Sequence, residues 1–336
     1  MNSNKTVSIE DVARHAGVST ATVSRALRGL ANVAPSTRAA VELAARELSY
    51  EANPNASRLA TGRTMTVGVI APYFGTWYVS QILTGVESLL RLGQYDLLVS
   101  SISRRTGPEE FASQIRSLAR RVDGVITIDL YPSAPGRGEL ERLPVPLVCV
   151  GDRIEGRSHS MLDNVAAGRL AAAHLLELGH TRMAMIRGLD NGSPVEAARL
   201  AAFGATLNQA GVAFGEDDVY TVEMTTSGGV DAAAQILARD DRPTAVFCVS
   251  DEIAFGLLGT MWRKGLVAPD DMAVVGVDGH ELAGPLGLTT VHQSVREAGR
   301  WAARVLLDAI GDPATEPETR LENPELIVRA STVAET

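Results

Sequence analysis

The chain is poor in much of what marks enzymes and secreted proteins. Its 336 residues include two cysteines, Cys149 and Cys248, each inside an apolar run (LVCV and VFCV). Thiols placed this way read as small buried hydrophobes in a reducing compartment, which argues against a disulfide framework or a metal site. Aromatic residues make up only 4% of the chain, so any local cluster of them stands out. No run of 18 apolar residues occurs, which excludes a membrane-spanning helix. The opening MNSNKTVSIED lacks the hydrophobic stretch of an export signal, so the protein is expected in the cytoplasm. The phosphate-cradling Gly-x-x-x-x-Gly-Lys, the dinucleotide Gly-x-Gly-x-x-Gly and the nucleophile elbow Gly-x-Ser-x-Gly are all missing. The six histidines are scattered; His174 and His180 lie six apart, on different faces of any helix, and read as structural. No catalytic constellation, cofactor or metal is therefore expected.

What is present begins with length and charge. A chain this long suggests about two domains, and 45% hydrophobic content is ample for large cores. The net charge of −9 would argue against nucleic acid if it were spread evenly. It is not. Residues 1–63 carry eight Lys and Arg against five Asp and Glu, a net +3, while the remainder stands at −12. A cationic head on an acidic body is the footprint of a DNA-binding module.

That head contains SIEDVARHAGVSTATVSRALRGL, from Ser8 to Leu30. Ile9, Val12, Ala13 and Ala16 fall at i, i+3, i+4 and i+7, one apolar helix face. Ser8 is placed to cap it, with Glu10 and Asp11 in the first turn, where the helix dipole favours acids. Gly17 can break the helix cheaply because it tolerates positive φ. Ser19 offers a second cap, and Val23, Ala26 and Leu27 rebuild an apolar face. Two short helices about a glycine turn make a helix-turn-helix. Thr20, Ala21, Thr22, Ser24, Arg25 and Arg28 are left facing outward. Small residues let the backbone approach base edges, Arg25 can bond a guanine in two places, and hydroxyls, including that of Ser19, can hold phosphates. Pro35 opens a third helix whose apolar face is Val41, Ala44, Ala45 and Leu48. Asn32, with Ser36, Thr37 and Arg38, lies near its start.

The stretch VSIEDVARHAGVSTATVSRALRG resembles the N-terminal helix-turn-helix of the LacI/GalR family of bacterial transcription regulators, nearly unbroken from Asp11 to Arg25. The resemblance extends to the segment Tyr50 to Arg63, YEANPNASRLATGR, too poor in apolar residues to order alone. It implies that residues 51–63 form a hinge that folds on operator DNA, with Leu59 as a leucine wedge in the minor groove. Asn53, Pro54 and Ala56 stand at matching positions. Ala34 replaces a usual serine, so a cap or phosphate contact is expected to be missing there.

From residue 64 the pattern changes. Apolar runs TVGVI, YDLLV, GVITI, PLVCV, MAMI, VYTV, AVFCV and AVVGV alternate with helical stretches. Near-continuous apolar strands with helical crossovers mean parallel sheets covered on both faces. So many strands divide naturally into two lobes. The expected fold is α/β: a three-helix head over 1–50, the hinge, then a two-lobed doubly wound parallel-sheet core over 64–336. Asp163-Asn164, His174-Leu175, Gly179-His180, VVGVD ending at Asp278, LTTV, Gln293 and LIVRAST also follow the family's core, which resembles periplasmic binding proteins.

Ligands of open α/β sheets bind beyond the carboxyl ends of the strands. After the first strand come Tyr73, Phe74, Trp77 and Tyr78, an aromatic cluster suited to a sugar or a base. Asp152 follows the fourth. Arg199, in an Arg-x-x-x-Phe context with Phe203, and Asp278 match family residues that contact effectors. Ser250 stands where the family commonly has asparagine, a change that should alter effector choice. Together these features point to a transcription regulator, most simply a repressor. It would bind a palindromic operator in double-stranded DNA as a homodimer, with an effector (a sugar, sugar phosphate or nucleoside-like metabolite) in the interlobe cleft. No leucine heptads follow Thr332, so a tail-mediated tetramer has no basis. The competing classes are a solute receptor, against which the head speaks, and a sugar enzyme, which lacks acid/base residues.

Overall fold

The computed structural model describes residues 7–27, 32–50, 63–103, 106–189 and 193–334. Arg28, Leu59 and nearly all of the hinge segment lie outside them. The chain separates into two compact units, Met1–Met65 and Thr66–Thr336.

The first unit is three helices, α1 (Ile9–Ala16), α2 (Thr20–Leu27) and α3 (Pro35–Glu47). Ser8 accepts the Asp11 N–H while the Asp11 carboxylate accepts the Ser8 N–H, a reciprocal cap. Gly17 ends α1 in the left-handed region at φ 67°. Ser19 accepts the Thr22 N–H at 3.2 Å. Val12, Val23 and Val41, one from each helix, meet fully buried in a small core with Ala13, Ala26, Ala44 and Ala45. Ala34 makes no side-chain cap for α3, as its identity dictates.

The second unit contains two six-stranded sheets. The strands and helices of the first lobe are β1 (Thr66–Ala71), α4 (Trp77–Leu90), β2 (Asp96–Ser101), α5 (Pro108–Ala119), β3 (Gly124–Ile128), α6 (Ala134–Glu141), β4 (Leu147–Val150) and β5 (Ser158–Leu162). The chain then crosses to the second lobe. There it builds α7 (Asn164–Glu177), β6 (Met183–Gly188), α8 (Pro194–Gln209), β7 (Val219–Val222), α9 (Thr226–Leu237), β8 (Ala245–Cys248), α10 (Asp251–Arg263), β9 (Ala273–Asp278) and β10 (Thr289–His292). It returns for α11 (Val295–Gly311) and β11 (Thr319–Glu322), then crosses back for β12 (Glu325–Ile327).

The sheet orders are β11-β5-β4-β3-β1-β2 and β12-β10-β9-β8-β6-β7. All pairings in the first are parallel. In the second, β12 runs antiparallel to β10, so that sheet departs from the wholly parallel pattern at one edge. Central strands β3, β4, β8 and β9 are buried throughout, as their continuous apolar sequences require. Both thiols are buried in this way; burial pushes Cys149 up to about 12 and raises Cys248 further. Among the described residues no helix is long and apolar enough to cross a membrane.

The α4–α11 contact fixes the first lobe. A Cβ on Gly85 would lie 2.1 Å from the Arg296 carbonyl oxygen, and one on Gly299 would lie 2.2 Å from that of Ile82. The two helices therefore touch backbone to backbone, which only glycine permits at these positions.

Candidate functional site

The head presents its candidate reading face on α2. Ser19, Thr20 and Ala21 are exposed, Thr22, Ser24 and Arg25 half-buried, and Asn32 is exposed beyond the helix. Arg25 lies along its own helix, its Nε donating to the Ala21 carbonyl at 3.2 Å. Ser19 and Thr22 hydroxyls are 2.9 Å apart. These are weak intrahelical bonds at a solvated surface, so Arg25 can exchange them for a base edge at little cost.

In the body, a cleft runs between the lobes and encloses about 920 Å³ of empty space, part of it open to solvent. Each lobe contributes residues from the carboxyl ends of its strands. The first lobe supplies Tyr73, Tyr78, Asp129, Tyr131 and Ser160; the second supplies Glu196, Arg199, Ser250, Glu252 and Asp278. The crossing segments add Asn164, Gln293 and Ser294, and β11 adds Arg320 and Glu322.

Arg199 reaches the cleft from α8. Its Nε donates to Asn164 Oδ1 at 2.8 Å and its Nη1 to the Val249 carbonyl at 2.9 Å. Asn164 in turn donates to the Leu162 carbonyl at 2.9 Å, so the guanidinium is locked by a braced amide. Asp278 ends β9 with φ 119°, a strained backbone for a non-glycine residue. Its Oδ1 accepts the Gln293 amide at 2.7 Å. Burial, then the negative charge of Asp251, holds the Asp278 carboxyl well above its usual range, while Arg199 pulls the other way. Ser250 caps α10, accepting the Ile253 N–H at 3.3 Å, and still faces the cleft. Tyr73 lines the mouth at 38% exposure.

Three sequence candidates are not brought to the cleft wall. Phe74 packs against the first-lobe core. Asp152 is buried and accepts the N–H groups of Tyr131 at 3.2 Å and Arg153 at 2.6 Å, so it fixes the loops after β3 and β4. Trp77 points to the second lobe, where its ring stacks on His280 with centroids 4.7 Å apart. In each case local packing or a loop bond takes a side chain that strand-end position alone would have assigned to ligand.

Behind the wall, Asp251 is fully buried and accepts the Thr290 hydroxyl and the His280 N–H, each at 2.7 Å. Burial raises its carboxyl to about 7 against those bonds. A Cβ on Gly276 would meet Asp251 Oδ1 at 2.1 Å, so glycine there makes room for the carboxylate. His174 and His180 bond Thr332 and Thr244 hydroxyls, the structural roles their spacing suggested.

Residues 8–53 match the model of bacterial regulatory proteins of the lacI family, and residues 172–332 that of a periplasmic binding protein-like domain. The chain is 34% identical to the HTH-type transcriptional repressor PurR of Vibrio atlanticus (strain LGP32), over 96% of this chain and 98% of that one. The chain belongs to the LacI family of bacterial regulatory proteins. It is likewise 32% identical to the ribose operon repressor of Escherichia coli (strain K12), across 96% of this chain and 99% of its relative. Among solved structures it resembles the Lac repressor dimer bound to operator and the anti-inducer ONPF, at TM-score 0.85 and 27% identity, covering 98% of this chain and 100% of that one. It also resembles the transcriptional regulator CelR in complex with cellobiose, at TM-score 0.69 and 32% identity, covering 97% and 99%. These relatives are regulators, and the family chain described here is a DNA-binding transcription regulator of the same two-part design.

Asp129, Tyr131, Glu196, Arg320 and Glu322 line the cleft without having been singled out from the sequence. Asp129 and Tyr131 directly follow β3, so the strand-end rule applied to GVITI would have found them. Arg320 and Glu322 sit on a short strand that no apolar run announces.

Proposed function

We propose that the chain is a cytoplasmic, nucleoid-bound repressor that binds a palindromic operator as a homodimer and is controlled by a small effector in the interlobe cleft. The observation that carries this reading is the joining, in one chain, of an exposed α2 face to a cleft walled by both lobes. On this reading α2 enters the major groove, with Thr20, Ala21 and Arg25 at base edges, and Ser19, Thr22, Ser24, Arg28 and Asn32 at base edges or phosphates. Leu59 is the minor-groove wedge. Arg199, from α8, and Asp278, at the carboxyl end of β9, take ligand hydroxyls by hydrogen bonds, that of the guanidinium charge-assisted, with Tyr73, Tyr78 and Ser250 completing the wall.

An effector shifts the operator-bound population only by its differential affinity for the lobe arrangements. Asp278→Ala should therefore weaken effector binding sharply, leave operator affinity without effector near that of the parent, and abolish the response. Coupling is reciprocal, so operator should change the parent's effector affinity by the same factor. Calorimetric effector titration with and without operator decides the matter. Equal affinities in both conditions would separate the cleft from the head and refute the proposal.

A further inference from the structure

The first lobe brings a single arginine to the cleft. Among the described lining residues only Arg199 and Arg320 are cations, and Arg320 belongs to β11, the edge strand of the first sheet. Strand alternation turns Arg320 and Glu322 to the inner face and leaves Thr319 and Leu321 exposed on the outer one. Arg320 is paired in register with Ser160 of β5. Its Nη1 donates to the Ser160 hydroxyl at 3.1 Å and its Nη2 to Glu322 Oε2 at 2.8 Å. The second carboxylate oxygen, Oε1, accepts the Ser294 N–H at 2.5 Å. Ser294 lies on the second crossing between the lobes, and Glu322 starts the third. We propose that Arg320 is the first lobe's effector contact, and that its ion pair with Glu322 carries occupancy of the cleft to these two crossings. The proposal rests on the reading of the cleft as the effector site, and goes beyond it by naming the side chain through which the first lobe reads the ligand.

A guanidinium has five N–H donors in one plane and accepts nothing. Two donors of Arg320 are spent on Ser160 and Glu322, and its side chain makes no further bond among the described residues. Three are left on a half-buried group that lines the cleft, and they fit a hydroxyl, ring or carbonyl oxygen of the ligand. The Tyr131 hydroxyl, by contrast, is already 2.7 Å from Asp129 Oδ1 and 3.0 Å from the Gly151 carbonyl oxygen. The charges of Glu322, Asp278 and Arg199 all act on the Tyr78 phenol, so the β11 pair shares its corner with the second lobe's grip. A ligand held by Arg199 and met by Arg320 spans both lobes.

The Glu322 carboxylate is thus shared, one oxygen on the guanidinium and the other on a crossing segment. A ligand oxygen that draws Arg320 inward either moves Glu322, and with it the Ser294 N–H, or lengthens a charge-assisted bond. An ion pair that served only to hold β11 would behave differently. Its loss would lower the thermal midpoint without changing which ligand is preferred, and the sign of a charge placed at position 320 would leave operator binding alone.

The test uses the full-length protein in two arms. The first titrates ribose, glucose and inosine, each beside its monodeoxy analogues, into the parent and Arg320→Gln. In the parent, removing the ligand oxygen that meets Arg320 should weaken binding on the order of 10- to 100-fold, and Arg320→Gln should lose that discrimination at that position alone. The same deoxy profile in both proteins overturns the proposal. The second arm needs no ligand and decides the case in which no probe binds. Both native thiols are fully buried, so in Arg320→Cys the introduced thiol is the one a methanethiosulfonate reagent reaches. An aminoethyl adduct returns a cation to Glu322, and a sulfonatoethyl adduct opposes it. The two adducts should differ about fivefold or more in operator affinity, the aminoethyl form lying nearer the parent. On Leu321→Cys, at the outer face of the strand, the same two adducts should bind operator alike. Equal affinities at position 320, or as large a difference at position 321, overturn the proposal. Failure of the effector reading looks different: Asp278→Ala would then leave the operator response unchanged for every probe, whatever the adducts do.

Discussion

Replacing Trp77 should loosen the lobes without removing a cleft residue. Trp77 begins α4 in the first lobe, and its ring stacks on His280 of the second at 4.7 Å and 29°. Its indole N–H donates to Glu281, and its backbone N–H donates to Glu252 at 3.2 Å. His280 is held in turn, edge-on to Phe255 at 5.1 Å and by its N–H on Asp251. One side chain therefore ties the first lobe to a braced loop of the second. An aromatic stack adds about 0.5–1.5 kcal/mol beyond its buried area. The indole bond to an exposed carboxylate adds about 0.5–1 kcal/mol after screening. Trp77→Ala should therefore cost the observed lobe arrangement about 1–2.5 kcal/mol, roughly 5- to 70-fold in the lobe equilibrium. Trp77→Phe removes only the N–H and part of the stack and should fall near the low end. Hydrogen exchange of the 279–286 loop and of the first turn of α4 reads the loosening directly, and effector titration reads its consequence. If Trp77→Ala leaves both within twofold of the parent, the stack does not hold the lobes together.

Two further outcomes follow from particular residues. Arg25→Ala should leave the head folded, since Arg25 makes only intrahelical bonds, yet abolish specific operator binding, because each lost bidentate guanine contact costs about 1–3 kcal/mol and a dimer loses two; unchanged affinity in a gel-shift titration at fixed salt would refute the base contact. Asp251, raised to about 7 by burial, stabilises the fold only while protonated, and that contribution is lost as pH rises from its unfolded value of 3.8 through about 7. The thermal-midpoint advantage of the parent over Asp251→Asn should therefore narrow between pH 5 and pH 7.5, a difference in which the buried histidines cancel; a gap that stays constant would show Asp251 ionised throughout.

The head was legible almost residue by residue because its signals are local. Ser8, Gly17 and Ser19 are caps and breakers whose chemistry acts within four residues, and Val12, Val23 and Val41 are the core that their periodicity implied. The central strands were legible for the same reason in another form, since continuous burial demands continuous apolar sequence. β5, β11 and β12 were not: their burial alternates or is partial, so their sequences SHSML, TRLE and ELI carry no apolar run. α11 was readable but obscured. Its buried Val295, Ala298, Gly299, Ala302, Ala303 and Leu306 keep helical spacing, yet four of the six are small, and at Gly299 the α4 backbone leaves no room for a side chain.

The same limit explains the site. Strand-end position names which loops face the cleft; Ser250 and Asp278 line it from strand ends, and Arg199, taken up from the resemblance, lines it from α8. It cannot say which side chain of a loop turns inward. Asp152 and Asp129 end adjacent strands β4 and β3, yet only Asp129 lines the cleft, because Asp152 is consumed by the N–H groups of Tyr131 and Arg153. That choice is made by backbone geometry: Asp129 and Tyr131 are both held at positive φ, 46° and 42°, and no local residue pattern encodes it.

The three crossings between lobes give the cleft a physical link to lobe movement. Asn164 stands at the first crossing and braces Arg199. Gln293 stands at the second and bonds Asp278, and the neighbouring Ser294 N–H donates to Glu322 at 2.5 Å, at the start of the third. Every charged group proposed to grip the effector in the second lobe is thus one hydrogen bond from a segment that must bend when the lobes close. A ligand that draws Arg199 or Asp278 by a few tenths of an ångström must carry Asn164 or Gln293 with it or break a buried bond.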